Sequence, residues 1–349
     1  MLALVASLAF VTAACSGGGG GNAGVGLDNE FRPTPGERDV QFVGAAKLHM
    51  GATLAVPPTA KGASPAVLII PGPGATNRDG PIVARPADPL YKDLSAALTA
   101  AGMVTMRYDH RGVGDSQLEP GQQLSWDDMV GDAKEALGFL SQRQEVDPAR
   151  IAIVGHDMGG VIALKLAASD PRVKSVALVS TPGRPLVDVW ADGYKFAAGS
   201  TSSDAFRAMI DGLLTTGALP PRDSVRPEFQ SALPPGQDGF FRALFSVDPV
   251  VDAAGVKVPV LMTLGERSST VTAVDAQRLG QALAKSEVVV APNASASLQQ
   301  QLKPVVRPFD PLDMDSHGLG PPVADAPREQ SSVDRIASFL ASAVGARAA

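Results

Sequence analysis

The chain has 349 residues, 45% hydrophobic and 19% charged, which suits one large domain with inserted elements or two small ones and excludes wholesale disorder. The net charge of −6 gives no electrostatic case for binding nucleic acid or an anionic membrane surface. With 36 Gly, 29 Pro and only 5% aromatics, turns should be many and the core built mainly from Ala, Val and Leu.

At the N-terminus, Leu2 to Ala14 is an apolar run that ends in small residues, followed by Cys15, Ser16 and the glycines 17–21. Such a run reads as a secretory signal. With a cysteine at the cleavage point it resembles the bacterial lipoprotein signal. That resemblance implies lipidation at Cys15, a Gly-rich tether and an exported, membrane-anchored chain; an ordinary secretory signal is the alternative. Residues 1–35 are therefore set apart as signal and tether, and 36–349 as the folded domain. No later apolar run is long enough to span a bilayer. Cys15 is the only cysteine, so the mature domain has no internal disulfide.

Along the domain, Val40–Val43 and Ala52–Val56 suggest a strand pair. Ala66–Ile70 is a continuous apolar run that ends at Pro71-Gly72, as expected of a strand buried on both faces. A helix is predicted over Leu90–Ala101, a strand over Met103–Tyr108, and a helix over Trp126–Arg143 with Ser125 as N-cap. Strand Ile151–Val154, helix Met158–Ala168 and strand Val173–Val179 follow. Strands alternating with helices imply a mostly parallel central sheet with helices on both faces, an α/β class. The alternation breaks over about 182–256, which holds helical patterns at Asp204–Leu214 and Gly239–Phe245. This stretch reads as a helical cap insertion over the edge where open α/β sheets bind ligands. Strand Val258–Met262, helix Ala273–Ala284, strand Glu287–Ala291 and helix Val333–Ala343 close the chain.

One segment carries chemistry. Ile151-Ala152-Ile153-Val154-Gly155-His156-Asp157-Met158-Gly159-Gly160 reads as strand, tight turn, helix, and fits the G-x-Nuc-x-G nucleophile elbow, whose glycines allow close backbone approach. Three further segments accompany it: Pro71 to Gly80, Arg107 to Ser116, and Asp248-Pro249 with Val256 to Leu261. On these four the chain resembles the α/β-hydrolase superfamily. More narrowly it resembles bacterial carboxylesterase-like hydrolases of the serine aminopeptidase or dienelactone hydrolase type. The resemblance implies the α/β-hydrolase fold, carboxylic-ester hydrolysis, and an oxyanion hole made by the N–H of Met158 with that of Gly74 or Ala75.

The family triad is altered at each position. Asp157 stands where the family has serine, Ser268 where it has the acid, and Ala296 where it has histidine. A carboxylate nucleophile cannot perform ordinary acyl transfer. It can displace a leaving group at an alkyl carbon, as epoxide and haloalkane hydrolases do, provided that a histidine activates water afterwards. Of the four histidines, His317 is the candidate base, C-terminal to the nucleophile as the family order requires. Glu266 is a candidate displaced acid. Alternatively Asp157 is an inert helix N-cap, its pKa depressed by the helix field and nearby N–H groups.

Two readings stay open: an aspartate-nucleophile hydrolase of Asp157 and His317, or a catalytically inactive pseudo-hydrolase binding a small apolar ligand or a protein partner under the cap. Neither a metal nor an organic cofactor is implied, since no zinc-type spacing and no dinucleotide glycine pattern is present.

Overall fold

A computed structural model describes residues 36–58, 60–72, 76–80, 88–230, 232–268, 270–300 and 326–347. Eight strands form one sheet: β1 Glu37–Val43, β2 His49–Ala55, β3 Ser64–Ile70, β4 Val104–Tyr108, β5 Val146–His156, β6 Val173–Val179, β7 Val260–Gly265 and β8 Ser286–Ala291. Their order is β1-β2-β4-β3-β5-β6-β7-β8. β1 and β2 are antiparallel, β2 meets β4 antiparallel, and all later pairings are parallel. β5 begins earlier than its apolar run suggests, because the register shifts between Ser64/Val146 and Ala66/Ile151 and the polar residues between them bulge out.

The central strands owe their continuous apolar runs to burial on both faces. In β3, Ala66, Leu68 and Ile70 pack into one core cluster, and Val67 and Ile69 into the other. β5 divides in the same way, with Ile151 and Ile153 against Ala152 and Val154. This period-2 partition is what a strand between two helical layers requires. Helices α1 Leu90–Ala100 and α10 Gln330–Val344 supply one layer; α2 Trp126–Ser141 and α3 Met158–Ser169 supply the other. The Ser125 hydroxyl accepts from the Asp128 N–H at 3.3 Å, capping α2.

From β3 the chain crosses to β4 on one side, then returns through α2 to β5 on the other. The carboxyl ends of β3 and β5 therefore flank a topological switch point, where open α/β sheets leave a crevice.

Between β6 and β7 the chain runs through α4 Leu186–Ala198, α5 Ser200–Thr216, α6 Pro227–Gln230, α7 Asp238–Phe245 and α8 Pro249–Ala253. Trp190 and Tyr194, one turn apart on α4, meet the rings of Phe206, Phe229 and Phe245. Trp190 lies 5.1 Å from Phe245, and Tyr194 lies 4.8 and 4.6 Å from Phe206 and Phe229. Eight of the chain's 17 aromatic residues fall in this insertion, and this cluster is continuous with the core around Met158. Among the described residues no helix is long and apolar enough to cross a membrane.

Phe206 is fully buried at the centre of these rings. Phe206→Ala should lower stability by about 3–5 kcal/mol, read from urea unfolding followed by tryptophan fluorescence.

Candidate functional site

The turn from β5 into α3 is as tight as its glycines suggest. A methyl at Gly159 would overlap the Pro71 and Ile70 carbonyls at the end of β3, and one at Gly160 would overlap the Thr181 hydroxyl after β6. Only hydrogen at these positions lets α3 begin so close to the sheet. Between strand and helix, Asp157 takes φ 52°, ψ −123°. Its N–H donates to the Val179 carbonyl at 2.9 Å, and its own carbonyl accepts from Gly160 N–H at 2.9 Å. A non-glycine residue held at such a φ costs about 1–3 kcal/mol.

The expectation of an inert cap with a depressed pKa is overturned. The Asp157 side chain makes no N-cap hydrogen bond to α3, its one backbone partner there being the adjacent Met158 N–H. The residue keeps partial solvent contact. Burial of its carboxyl nevertheless pushes the pKa up to about 7; the Met158 N–H pulls it down, and the Asp275 charge adds to the rise. Desolvation, absent from a reading of helix dipole and N–H count, wins here. Asp275 is fully buried and committed elsewhere. It accepts from Gly183 N–H at 3.0 Å, from Thr272 N–H at 2.9 Å and from the Arg184 guanidinium, tying the start of the β6–β7 insertion to helix α9 Ala273–Ala282.

The other two triad positions lie on neighbouring strand ends. Ser268, after β7, uses its hydroxyl to accept from Val271 N–H at 3.2 Å. Ala296, after β8, is buried, and its carbonyl accepts from the Ser180 hydroxyl at 2.6 Å. Neither position holds a carboxylate or an imidazole. Glu266 accepts from Asn293 N–H at 2.8 Å, and Arg267 donates to the Asn293 side chain at 2.7 Å. Glu266, the candidate displaced acid, thus ties the turn after β8 to the end of β7. His317, Gly74, Ala75 and Cys15 lie outside the described residues.

The remaining histidines are His49, His110 and His156. His49 is exposed on β2. His110 is buried, donates from Nδ1 to the Arg111 carbonyl at 2.9 Å, and has its pKa lowered to about 4 by burial. His156 sits at the end of β5 with Nδ1 2.9 Å from the Tyr91 hydroxyl. The loop after β3 is bolted by charge. Arg78 pairs with Asp109, Asp115 and Asp39 and donates to the Ala52 carbonyl at 3.1 Å, while Arg107 pairs with Asp79 and Glu37. Sequence reading left Tyr91 and Asp275 unnoticed. Neither belongs to a motif, and only the fold brings them beside the elbow. Among the described residues no cluster of acidic, histidine or cysteine side chains could hold a metal ion.

With this geometry in view, the chain can be set beside known proteins. Its overall architecture overlays the α/β hydrolase GrgF from Penicillium sp. sh18 with a TM-score of 0.57 at 16% identity, over 88% of this chain and 99% of that one. The chain has the α/β-hydrolase fold. Residues 89–210 match the family model described as serine aminopeptidase, S33. Thiohydrolase apmlB of Arthrinium phaeospermum is 36% identical over 27% of this chain and 31% of its own length. Polyketide transferase ATR5 of Stachybotrys chlorohalonatus is 34% identical over 36% of this chain and 40% of its own. The chain spans between about a third and a half of the length of the curated relatives it matches.

Because the native state raises the Asp157 pKa from 3.8 to about 7, it holds that proton more tightly than the unfolded chain does. The resulting stabilisation is complete below the unfolded value and is lost as pH rises through about 7. Asp157→Asn has no such group. Its melting temperature should gain on that of the native chain between these two pKa values, and the gap should be constant above about pH 8. Parallel melting curves across the whole range would show a carboxyl with an unshifted pKa.

Proposed function

We propose that this protein is a non-hydrolysing member of the α/β-hydrolase fold that binds a small apolar molecule with a polar end, held between the elbow and the helices of the β6–β7 insertion. What carries the reading is the state of the three triad positions. Asp157 stands at the elbow, Ser268 is spent on a local turn and Ala296 has no ionisable group. Ester hydrolysis needs a nucleophile whose proton is taken by a base and a base oriented by an acid. The retained elbow strain and glycine contacts support a maintained crevice, since about 1–3 kcal/mol of backbone strain persists only where the surroundings hold it. A carboxyl with a pKa near 7 can donate or accept a hydrogen bond to a ligand's polar end at neutral pH.

A second reading has its own support. Asp157 is not consumed as a helix cap, so its carboxyl is free to attack an alkyl carbon, with the water-activating base supplied from outside the described residues by His317. In both readings the N-terminal apolar run and Cys15 support export and lipid anchoring, with the folded domain on the outer side of the membrane.

Intact-protein mass spectrometry separates the two. The chain is incubated with styrene oxide, 1-bromobutane and 4-nitrophenyl butyrate while products are followed. The binding reading expects no adduct and no nitrophenolate release, together with saturable quenching of tryptophan fluorescence by the unreacted ester. An alkyl adduct mapped to Asp157 would overturn it in favour of the nucleophile. Asp157→Ser alone should leave ester turnover undetectable, because the base and acid positions are still empty of ionisable groups. For the anchor, Cys15→Ser should move the protein from the membrane to the soluble fraction of expressing cells; an unchanged distribution would refute lipidation.

A further inference from the structure

Tyr91, one residue into α1, touches the candidate site from a place that no motif marks. Its ring is fully buried. Its hydroxyl accepts from the Gly72 N–H at 2.8 Å, and its own N–H donates to the Asp79 carbonyl at 2.9 Å. The same residue therefore ties the start of the segment after β3, at Gly72, and a point further along it, at Asp79. On its third side the hydroxyl lies 2.9 Å from His156 Nδ1, with the rings edge to face at 5.7 Å. His156 immediately precedes Asp157. One side chain thus links the exit of β3, the start of α1 and the elbow, the three elements that flank the switch-point crevice.

Burial holds the Tyr91 phenol well above its ordinary pKa, so it keeps its proton. The hydroxyl accepts from Gly72 and has a second lone pair, so toward His156 Nδ1 it can donate its proton or accept one; the arrangement taken here is donation. Nδ1 must then be unprotonated, and the neutral imidazole carries its hydrogen on Nε2. The space around Gly72 is correspondingly tight. A methyl there would lie 3.0 Å from His156 Nδ1 and 3.4 Å from the Tyr91 hydroxyl.

We propose that Tyr91 is a positioning residue: its hydroxyl fixes the spacing between the loop after β3 and the nucleophile elbow, and sets the tautomer of His156. It acts through Gly72 and His156 and does not itself touch a ligand. The consequence for binding rests on the ligand-binding reading above; the link itself does not.

The test has arms that fail separately. In the native chain, ¹⁵N resonances of His156 should report the Nε2–H tautomer, and a hydrogen found on Nδ1 would overturn the proposal without any variant. Tyr91→Phe keeps the ring and its packing and removes only the hydroxyl. The Gly72 amide should then exchange about five- to tenfold faster, as expected when one buried hydrogen bond loses its acceptor, and His156 should lose its single tautomer. Unchanged Gly72 exchange and an unchanged His156 spectrum in a folded Tyr91→Phe protein would refute the link. The third arm measures quenching by 4-nitrophenyl butyrate. Native binding that weakens severalfold in Tyr91→Phe, at unchanged melting temperature, supports positioning of the crevice. Native binding with the same affinity in the variant overturns the positioning role. No binding to the native chain refutes the ligand reading and leaves the other two arms to decide the link.

Discussion

The structure depends on how closely α3 is allowed to approach the sheet. Gly159 sits against the last carbonyls of β3, and Gly160 against Thr181 beyond β6. These contacts bring three adjacent strand ends to one point and leave residue 157 no conformation but the strained one at φ 52°. A side chain there projects from the tip of the turn whatever its chemistry. The strain of about 1–3 kcal/mol is a property of the backbone, so replacing a serine with an aspartate changes what is presented without relaxing how it is presented.

Around that point, the buried charges differ in how well they are met. Arg78, Arg107 and Arg184 each sit between carboxylates, and each ties a loop or helix start to the sheet. Asp275 receives two backbone N–H groups from the insertion, one from its own helix cap, and an arginine. Asp157 receives little besides the Met158 N–H, and the nearest charge to influence it is another acid. Loss of hydration then dominates, and the carboxyl is left near the midpoint of its titration at neutral pH. Two enclosed aspartates in one site are thus set to different tasks by their donors: one is a structural clamp, the other an ambivalent hydrogen-bonding group.

Much of the fold was legible from periodicity. Ala66–Ile70 and Ile151–Val154 announce strands buried on both faces, and Ser125 announces the start of α2, because these signals are local. The elbow was legible because its glycines report a steric requirement that no other residue meets. The state of Asp157 was not. Counting N–H donors and a helix dipole gave the wrong direction, since the desolvation that decides the matter comes from residues distant in sequence. Tyr91 was invisible for a related reason. It looks like one more apolar position on an amphipathic helix, and only the return of β5 beside β3 gives its hydroxyl partners. The turn that Glu266 closes through Asn293 was likewise not legible, since the two are 27 residues apart and meet only because β7 and β8 pair.

The positions that the sequence aligns with the family's acid and base are tied into local packing and hydrogen bonding. Ala296 is only 3% exposed, and its carbonyl is held by Ser180. An imidazole there would have to displace its neighbours, at a cost of about 1–3 kcal/mol for a small-to-large change in a packed site. Ser268 is likewise enrolled in the turn that leads to Val271. Ser268 and the carbonyl of Ala296 thus enter local hydrogen bonds, while the glycine contacts and the φ of Asp157 keep the turn tight. The backbone of the elbow is therefore held by contacts that do not depend on which side chains the neighbouring strand ends carry.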